Sequence, residues 1–170
     1  DTFRLQGEGI DATAEGSLDS GARVNATADL SRLPVDAAEL TGTAQIQAVV
    51  TGDLNNPRID GSLTTTNAQV RLPDMTTPAD VQANVQFNRD QFVIERMHAE
   101  YAGATADVTG RGTIKGAGDF QFRVANLRPE RLFPERRSSG LISLEGTLKA
   151  TEPSIEGISG QATFTELILN

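Results

Sequence analysis

Apolar and polar residues alternate with a period of two along most of this chain. A chain written that way can bury only one face of each extended segment. Val24, Ala26, Ala28 and Leu30 interleave with Asn25, Thr27 and Asp29, and Ala44, Ile46, Ala48 and Val50 interleave with Gln45, Gln47 and Val49. Leu63 and Thr65, then Ala68, Val70 and Leu72, continue the pattern to Pro73. The three-and-four spacing of an amphipathic helix is nearly absent, so the fold class is all-β, with roughly eleven strands.

The loop from Pro73 to Pro78 carries a proline at each end, which stops pairing and forces a connection. Beyond it, Val81, Ala83, Val85 and Phe87 share a face, Asn88-Arg89-Asp90 supplies a tight turn, and Phe92 and Ile94 begin the return strand of a hairpin. Apolar parity then changes from even (Phe92, Ile94) to odd (Met97, Ala99, Tyr101), which predicts either a β-bulge near Glu95-Arg96 or a strand that is apolar on both faces. A long strand from Ala104 to Ile114 follows, then Phe120, Phe122 and Val124, then Ile142, Leu144 and Leu148, and finally Phe164, Leu167 and Leu169. The helix candidates are two short connectors, Val35 to Leu40 and Pro129 to Phe133.

The alternation is itself organised in a repeat. Gly42 recurs as Gly140 and Gly61 as Gly157, intervals of 98 and 96 residues, and Gly16-Ser17-Leu18 recurs as Gly112-Thr113-Ile114. Asn55-Asn56-Pro57 and Glu152-Pro153 occupy equivalent turns. The expected organisation is a single segment, 1–170, of a longer β-repeat array, with units of approximately 1–97 and 98–170 and no domain boundary between them. A parallel β-helix would repeat every roughly 20 to 25 residues, far less than this interval.

Composition removes several function classes. A formal charge of -8 and a pI near 4.6 oppose a phosphate-backbone partner, so no nucleic acid is expected. The one basic cluster, Arg128, Arg131, Arg136 and Arg137, is interrupted by Glu130 and Glu135 and reads as a solvated turn. Cysteine is absent, which excludes disulfide and thiolate chemistry. Large aliphatic and aromatic side chains are only about a quarter of the residues, which suits single-faced strands better than a thick sandwich. No apolar run approaches the roughly 20 residues of a membrane helix, so a targeting or anchoring segment is expected outside this sequence.

Chemistry-bearing signals are weak. Gly110-Arg111-Gly112 and Gly116-Ala117-Gly118 precede a strand rather than the helix a phosphate loop needs, so these glycines are read as turn and bulge residues. His98 has no cysteine or second histidine to build a zinc site and reads as a solvent-facing strand residue. Asp53, Asn55 and Asn56 lack the EF-hand spacing, and the Pro57 that follows marks a turn. Among Asp11, Glu15 and Asp19, or Glu145, Glu152 and Glu156, no spacing selects a catalytic pair. No enzyme activity, cofactor or metal is expected.

The block Val50-Thr51-Gly52-Asp53-Leu54-Asn55-Asn56-Pro57-Arg58-Ile59-Asp60-Gly61-Ser62-Leu63, followed by Asn67 to Pro73, resembles the recurrent phrase of the TamB/AsmA-like envelope proteins, in which G-x-L-x-x-P-x-(I/L)-x-G-x-(L/V) precedes a strand ending near proline. Asp80 to Thr113 is similar to the family's continuation. Glu152-Pro153-Ser154-Ile155-Glu156-Gly157 is a degraded second copy, and the likeness extends from about Gly7 to the end. The resemblance implies an elongated, strongly curved U-shaped sheet, a "β-taco" with an apolar inner groove, in the periplasmic part of an inner-membrane-anchored protein. It further implies phospholipid acyl chains or unfolded outer-membrane protein as cargo, an outer-membrane barrel partner of the TamA type, and no catalytic residues.

On that reading Ile46, Val50, Leu63, Val70, Leu72, Val85, Phe87, Ile94, Phe120, Phe122, Leu144, Leu148 and Phe164 line the groove, with the polar alternates facing the periplasm. Two alternatives stand beside it. In one, Phe87, Ile94, Phe120, Phe122, Leu144 and Leu148 fill a closed core, and a partner binds by pairing with an exposed edge strand near Thr165 to Asn170. The other, a carbohydrate-active enzyme, would need sugar platforms, yet tryptophan is absent and Tyr101 is the only tyrosine.

Overall fold

The computed structural model of the chain describes residues 2–32, 38–53, 55–73, 75–132, 139–152 and 157–169. They form one antiparallel sheet of eleven strands in chain order: β1 (Thr2–Gly7), β2 (Ile10–Glu15), β3 (Ala22–Asp29), β4 (Glu39–Asp53), β5 (Asn56–Arg71), β6 (Ala79–Asn88), β7 (Gln91–Tyr101), β8 (Ala104–Thr113), β9 (Gly118–Leu127), β10 (Gly140–Ala150) and β11 (Ile158–Leu169). Each strand pairs only with its sequence neighbours, so β1 and β11 are free edges and the sheet does not close. Among the described residues no helix is long and apolar enough to cross a membrane.

Short-range signals set the turns. At the β6–β7 turn the Asn88 carboxamide oxygen accepts from the backbone N–H groups of Asp90 and Gln91, at 2.9 and 2.8 Å, replacing backbone bonds that the tight turn cannot make. Ala102 and Gly103 join β7 to β8 with φ of 50° and 86°, the mirror-image turn whose twist matches that of the flanking strands. Asn55 N–H donates to Asp53 Oδ1 at 2.9 Å, so the Asp53-Asn55-Asn56 group is a turn, as its proline suggests.

A 3-10 turn at Leu30–Arg32 follows β3, and a one-turn helix, α1 (Pro129–Leu132), follows β9. The order strand, helical turn, two strands therefore occurs twice. Of the Val35 to Leu40 expectation, the structure contradicts the last two residues. Asp29 Oδ1 accepts from the Ser31 N–H and hydroxyl, at 3.0 and 2.7 Å, and caps the turn early. Glu39 and Leu40 belong to β4 instead, because Leu40 pairs with Val70; positions 35–37 lie outside the described residues. Ile114, placed in a strand by its alternation, falls just past β8 and is 68% exposed.

The Glu95-Arg96 bulge is present. Val85 pairs with Ile94 and Asn84 with Arg96, leaving Glu95 as an extra residue in β7. Register also shifts in β5 between Thr65 and Ala68, in β9 between Val124 and Leu127, and in β11 between Phe164 and Glu166. Asn67 and Asn126, at positive φ of 49° and 57°, stand at the β5 and β9 bulges, where asparagine enters the left-handed region more cheaply than most residues. Hydroxyls satisfy the backbone there: Ala83 N–H donates to Thr65 Oγ1 at 2.8 Å and Asn126 N–H to Ser143 Oγ at 3.2 Å.

Among the described residues, the buried side chains are those of Ala28, Ala44, Ala68, Ala79, Ala104 and Ser143, and no large side chain falls below 2% exposure. Phe87, Ile94, Phe120, Phe122 and Leu144 are half-buried and Leu148 is 39% exposed, so they line a face without forming a closed core. Ladder hydrogen bonds and same-face contacts between neighbouring strands hold this sheet together.

Candidate functional site

Cross-strand partners point to the same side of a sheet, so the registers define its two faces. One row runs through all eleven strands as Leu5, Ala12, Ala26, Ile46, Leu63, Val85, Ile94, Gly110, Phe120, Leu148 and Gly160. The next row is Phe3, Ala14, Val24, Ala48, Gly61, Phe87, Phe92, Gly112, Gly118, Ala150 and Ile158. Each bulge inserts its extra residue where the sequence changes parity, so Ala68, Met97, Leu127 and Leu167 remain on this face. No charged side chain stands in these registers on this face. Its polar groups are the Thr65 hydroxyl, bonded within the β5 bulge, and the Tyr101 hydroxyl, 3.5 Å from Thr76 Oγ1.

Of the expected groove residues, Ile46, Val50, Leu63, Val70, Val85, Phe87, Ile94, Phe120, Phe122, Leu144, Leu148 and Phe164 share this face. Leu72 stands past the end of β5 and is 47% exposed. Phe164, on the edge strand, is 58% exposed. The same face also holds Met97 and Tyr101, whose parity the β7 bulge restores.

The mid-strand glycines do more than make turns, which corrects the reading of Gly112 and Gly118. A Cβ on Gly112 would lie 2.6 Å from Phe92 Cζ, one on Gly118 2.7 Å from Phe120 Cζ, one on Gly61 2.7 Å from Phe87 Cζ and one on Gly146 2.8 Å from Phe122 Cζ. Phe92, Phe87 and Phe122 each lay a ring over a glycine in an adjacent strand, and Phe120 lays its ring over Gly118 two residues earlier in β9, where any side chain would displace it. Phe92 and Phe120 stack with ring centroids 6.2 Å apart. Gly116, at φ 94° between β8 and β9, keeps its turn role.

The opposite face is polar, and several of its charges are paired. Arg4 bridges Asp11 at 2.7 Å, and Arg123 bridges Glu145 at 3.0 Å, so neither Asp11 nor Glu145 belongs to a carboxylate dyad. Asp11 is held below the usual carboxylate range by its hydrogen bonds from Arg4 and Gln6. In the basic cluster, Arg131 donates to the Ala102 carbonyl at 2.8 Å and Arg128 lies 3.7 Å from Glu130; Arg136, Arg137 and Glu156 lie outside the described residues.

His98 is on this polar face as expected, but its side chain is only 18% exposed. It sits between two carboxylates, with Nδ1 2.7 Å from Asp107 Oδ1 on β8 and Nε2 3.1 Å from Glu100 Oε1 on its own strand. The hydrogen bond to Asp107, and then that to Glu100, raises its pKa above the ordinary value of 6.5. A raised folded-state pKa contributes stability that is complete below the unfolded value and disappears as pH rises through the folded one. The stability difference between wild type and His98→Gln, measured by urea unfolding, is therefore expected to be largest near pH 5.5–6 and to shrink toward pH 8. A difference independent of pH would show that His98 contributes packing only.

Among the described residues no group of three or more His, Asp or Glu side chains is arranged to hold a metal ion. Among the described residues, cavities of about 960, 590, 390 and 260 Å³ open on the polar face.

No family model, curated protein or solved structure matches the chain. What distinguishes the molecule chemically is the contrast between its two faces. Sequence alternation locates the apolar one. It does not locate the glycine seats of the rings or the polar cavities, which depend on which strands become neighbours and in what register.

Proposed function

We propose that the apolar face shields lipid acyl chains, or the apolar side of unfolded outer-membrane strands, from water. On this reading the chain is a periplasmic segment of a TamB/AsmA-like protein anchored in the inner membrane, serving phospholipid transport or outer-membrane protein assembly with a barrel partner of the TamA type. The observation that carries the reading is the unbroken apolar row from Leu5 in β1 to Gly160 in β11. A buried methylene contributes about 0.8 kcal/mol, so exposing five of them costs about 4 kcal/mol and would stall a lipid at any polar gap. The half-buried state of Phe87, Phe120, Phe122 and Leu144 leaves apolar area for a cargo to cover. The bulges of β5, β7, β9 and β11 bend their strands and favour the curved, U-shaped trough that the resemblance implies.

Mass spectrometry of purified protein is expected to find co-isolated phospholipid in wild type. Occupancy should fall severalfold in Phe122→Asp and Leu144→Asp, and stay unchanged in Thr147→Asp on the polar face. Equal occupancy in folded apolar-face variants would overturn the proposal.

A second reading, partner binding by edge pairing, has one observation in its favour. Strand β11 is exposed from Ile158 to Ile168 and carries a single charge, Glu166, without proline. That mode would be sensitive to Thr163→Pro and indifferent to the apolar-face aspartates.

A further inference from the structure

Two carboxylates stand directly opposite each other near one end of the β6–β7 ladder, Asp80 on β6 and Glu100 on β7. Like charges placed so repel, and each needs a partner to stay in place. Asp80 has one in the side-chain amide of Gln69 on β5, which donates to its Oδ1 at 2.8 Å. Glu100 has one in His98, whose Nε2 lies 3.1 Å from Glu100 Oε1. Asp80, His98 and Glu100 line the cavity of about 260 Å³ together with Asn67 and Gln82.

His98 is the hinge of this arrangement. It faces Gln82 on β6 and Asp107 on β8, with Nδ1 2.7 Å from Asp107 Oδ1. Thr105, opposite Glu100 on β8, is uncharged. Arg123, opposite Asp107 on β9, is bridged to Glu145 at 3.0 Å, and Arg96, two residues before His98 on the same face, makes no ion pair among the described residues. Among the described residues, His98 is thus the cation bonded to both Glu100 and Asp107. Both ring nitrogens meet carboxylate oxygens, and only the imidazolium has two N–H groups to donate.

We propose that His98, Glu100 and Asp80 form a pH-operated clamp, which holds the end of the β6–β7 ladder next to Pro78 closed while His98 is protonated and releases it when His98 is neutral. A neutral ring keeps one proton, and the shorter bond, to Asp107, retains it. The Nε2 lone pair then faces Glu100 Oε1, and Glu100 faces Asp80 with no counter-charge. Glu100 turns out to solvent, and the pairs Asp80–Glu100 and Val81–Ala99 loosen. The hydrogen bonds to Asp107 and then to Glu100 hold the His98 pKa above 6.5, so the clamp is complete below that value and opens as pH rises through the higher, folded-state one. The segment it releases carries Val81, Ala99 and Tyr101 on the apolar face, just past the β7 bulge. The clamp acts whatever the apolar face binds, and it opens the sheet locally rather than unfolding it.

Amide hydrogen exchange of the whole chain between about pH 5.5 and pH 9, corrected for the intrinsic rate at each pH, tests the clamp alongside NMR titration of the His98 ring. Protection of residues 79–82 and 98–101 is expected to fall about tenfold, as for the loss of one charge-assisted hydrogen bond, with the midpoint of the His98 titration. Residues 43–50 of β4 should keep theirs. Glu100→Gln should leave His98 titrating yet hold protection within about twofold across the range, because a carboxamide serves a ring nitrogen as donor or acceptor. His98→Gln should give one level of protection at every pH. A flat wild-type profile, a loss shared equally by β4, a loss whose midpoint departs from that of His98, or a full loss persisting in Glu100→Gln would each overturn the proposal.

Discussion

Replacing Gly61 with valine is expected to destabilise the protein by about 3 kcal/mol, and replacing it with alanine by about 1–3 kcal/mol. Gly61 lies in the middle of β5, with no positive φ to explain it. A Cβ there would meet the Gln47 carbonyl oxygen at 2.7 Å, Phe87 Cζ at 2.7 Å and Ala48 Cβ at 2.9 Å. The ring can swing away, but the Gln47 carbonyl is held in the β4–β5 ladder and cannot. Gly7→Ala is the matched control, because nothing lies within 4 Å of a Cβ at that position. Urea unfolding should show a lowered midpoint for both Gly61 variants and none for Gly7→Ala. Phe87→Ala placed on Gly61→Val should cost less than it does in wild type, since the two side chains compete for one space. An unchanged midpoint for Gly61→Ala would show that the ring is not seated over the glycine.

Deleting Glu95 should cost about as much, through a different mechanism. Glu95 is the extra residue that allows Phe92 and Ile94 to share a face with Met97, Ala99 and Tyr101. Without it, strict alternation sends one of these groups to the polar side. Turning out Phe92 and Ile94 alone, at about 1.5 kcal/mol each for half-buried side chains, gives about 3 kcal/mol. The apolar face would also gain polar side chains at its centre, so lipid occupancy should fall together with stability. Deleting Ser20, in the exposed β2–β3 connection, is the comparison. A Glu95 deletion that leaves both the midpoint and lipid occupancy at wild-type levels would mean that the bulge does not set the face.

The β7 bulge is also where the sequence is most legible. Its parity change is visible in Phe92, Ile94, Met97 and Ala99 because an extra residue in a single-faced strand must leave that trace. The β6–β7 hairpin is legible for the same reason, since Asn88 makes its turn with bonds two and three residues away. The strand at Glu39 and Leu40 is not legible in the sequence, because the competition there is not local. Leu40 pairs with Val70, thirty positions along the chain, and that ladder draws Glu39 and Leu40 into β4 while Asp29 caps a helical turn earlier. His98 shows the limit most clearly. Its place on the polar face follows from alternation, but Asp107 reaches it only because β8 pairs with β7 in a register that the sequence does not state.

Alternation and repeat by themselves determined an all-β chain, its strand number and a single apolar face, because a period of two leaves each strand no other way to segregate its side chains. Tertiary structure decided that the strands pair in simple order in one unclosed sheet, which rings lie over which glycines, and that His98 lies between Asp107 and Glu100. The physical reason is register. Which face a residue takes is a property of its own strand, whereas its neighbours across the sheet are set by hydrogen-bonded ladders between segments that carry no mark of their partners.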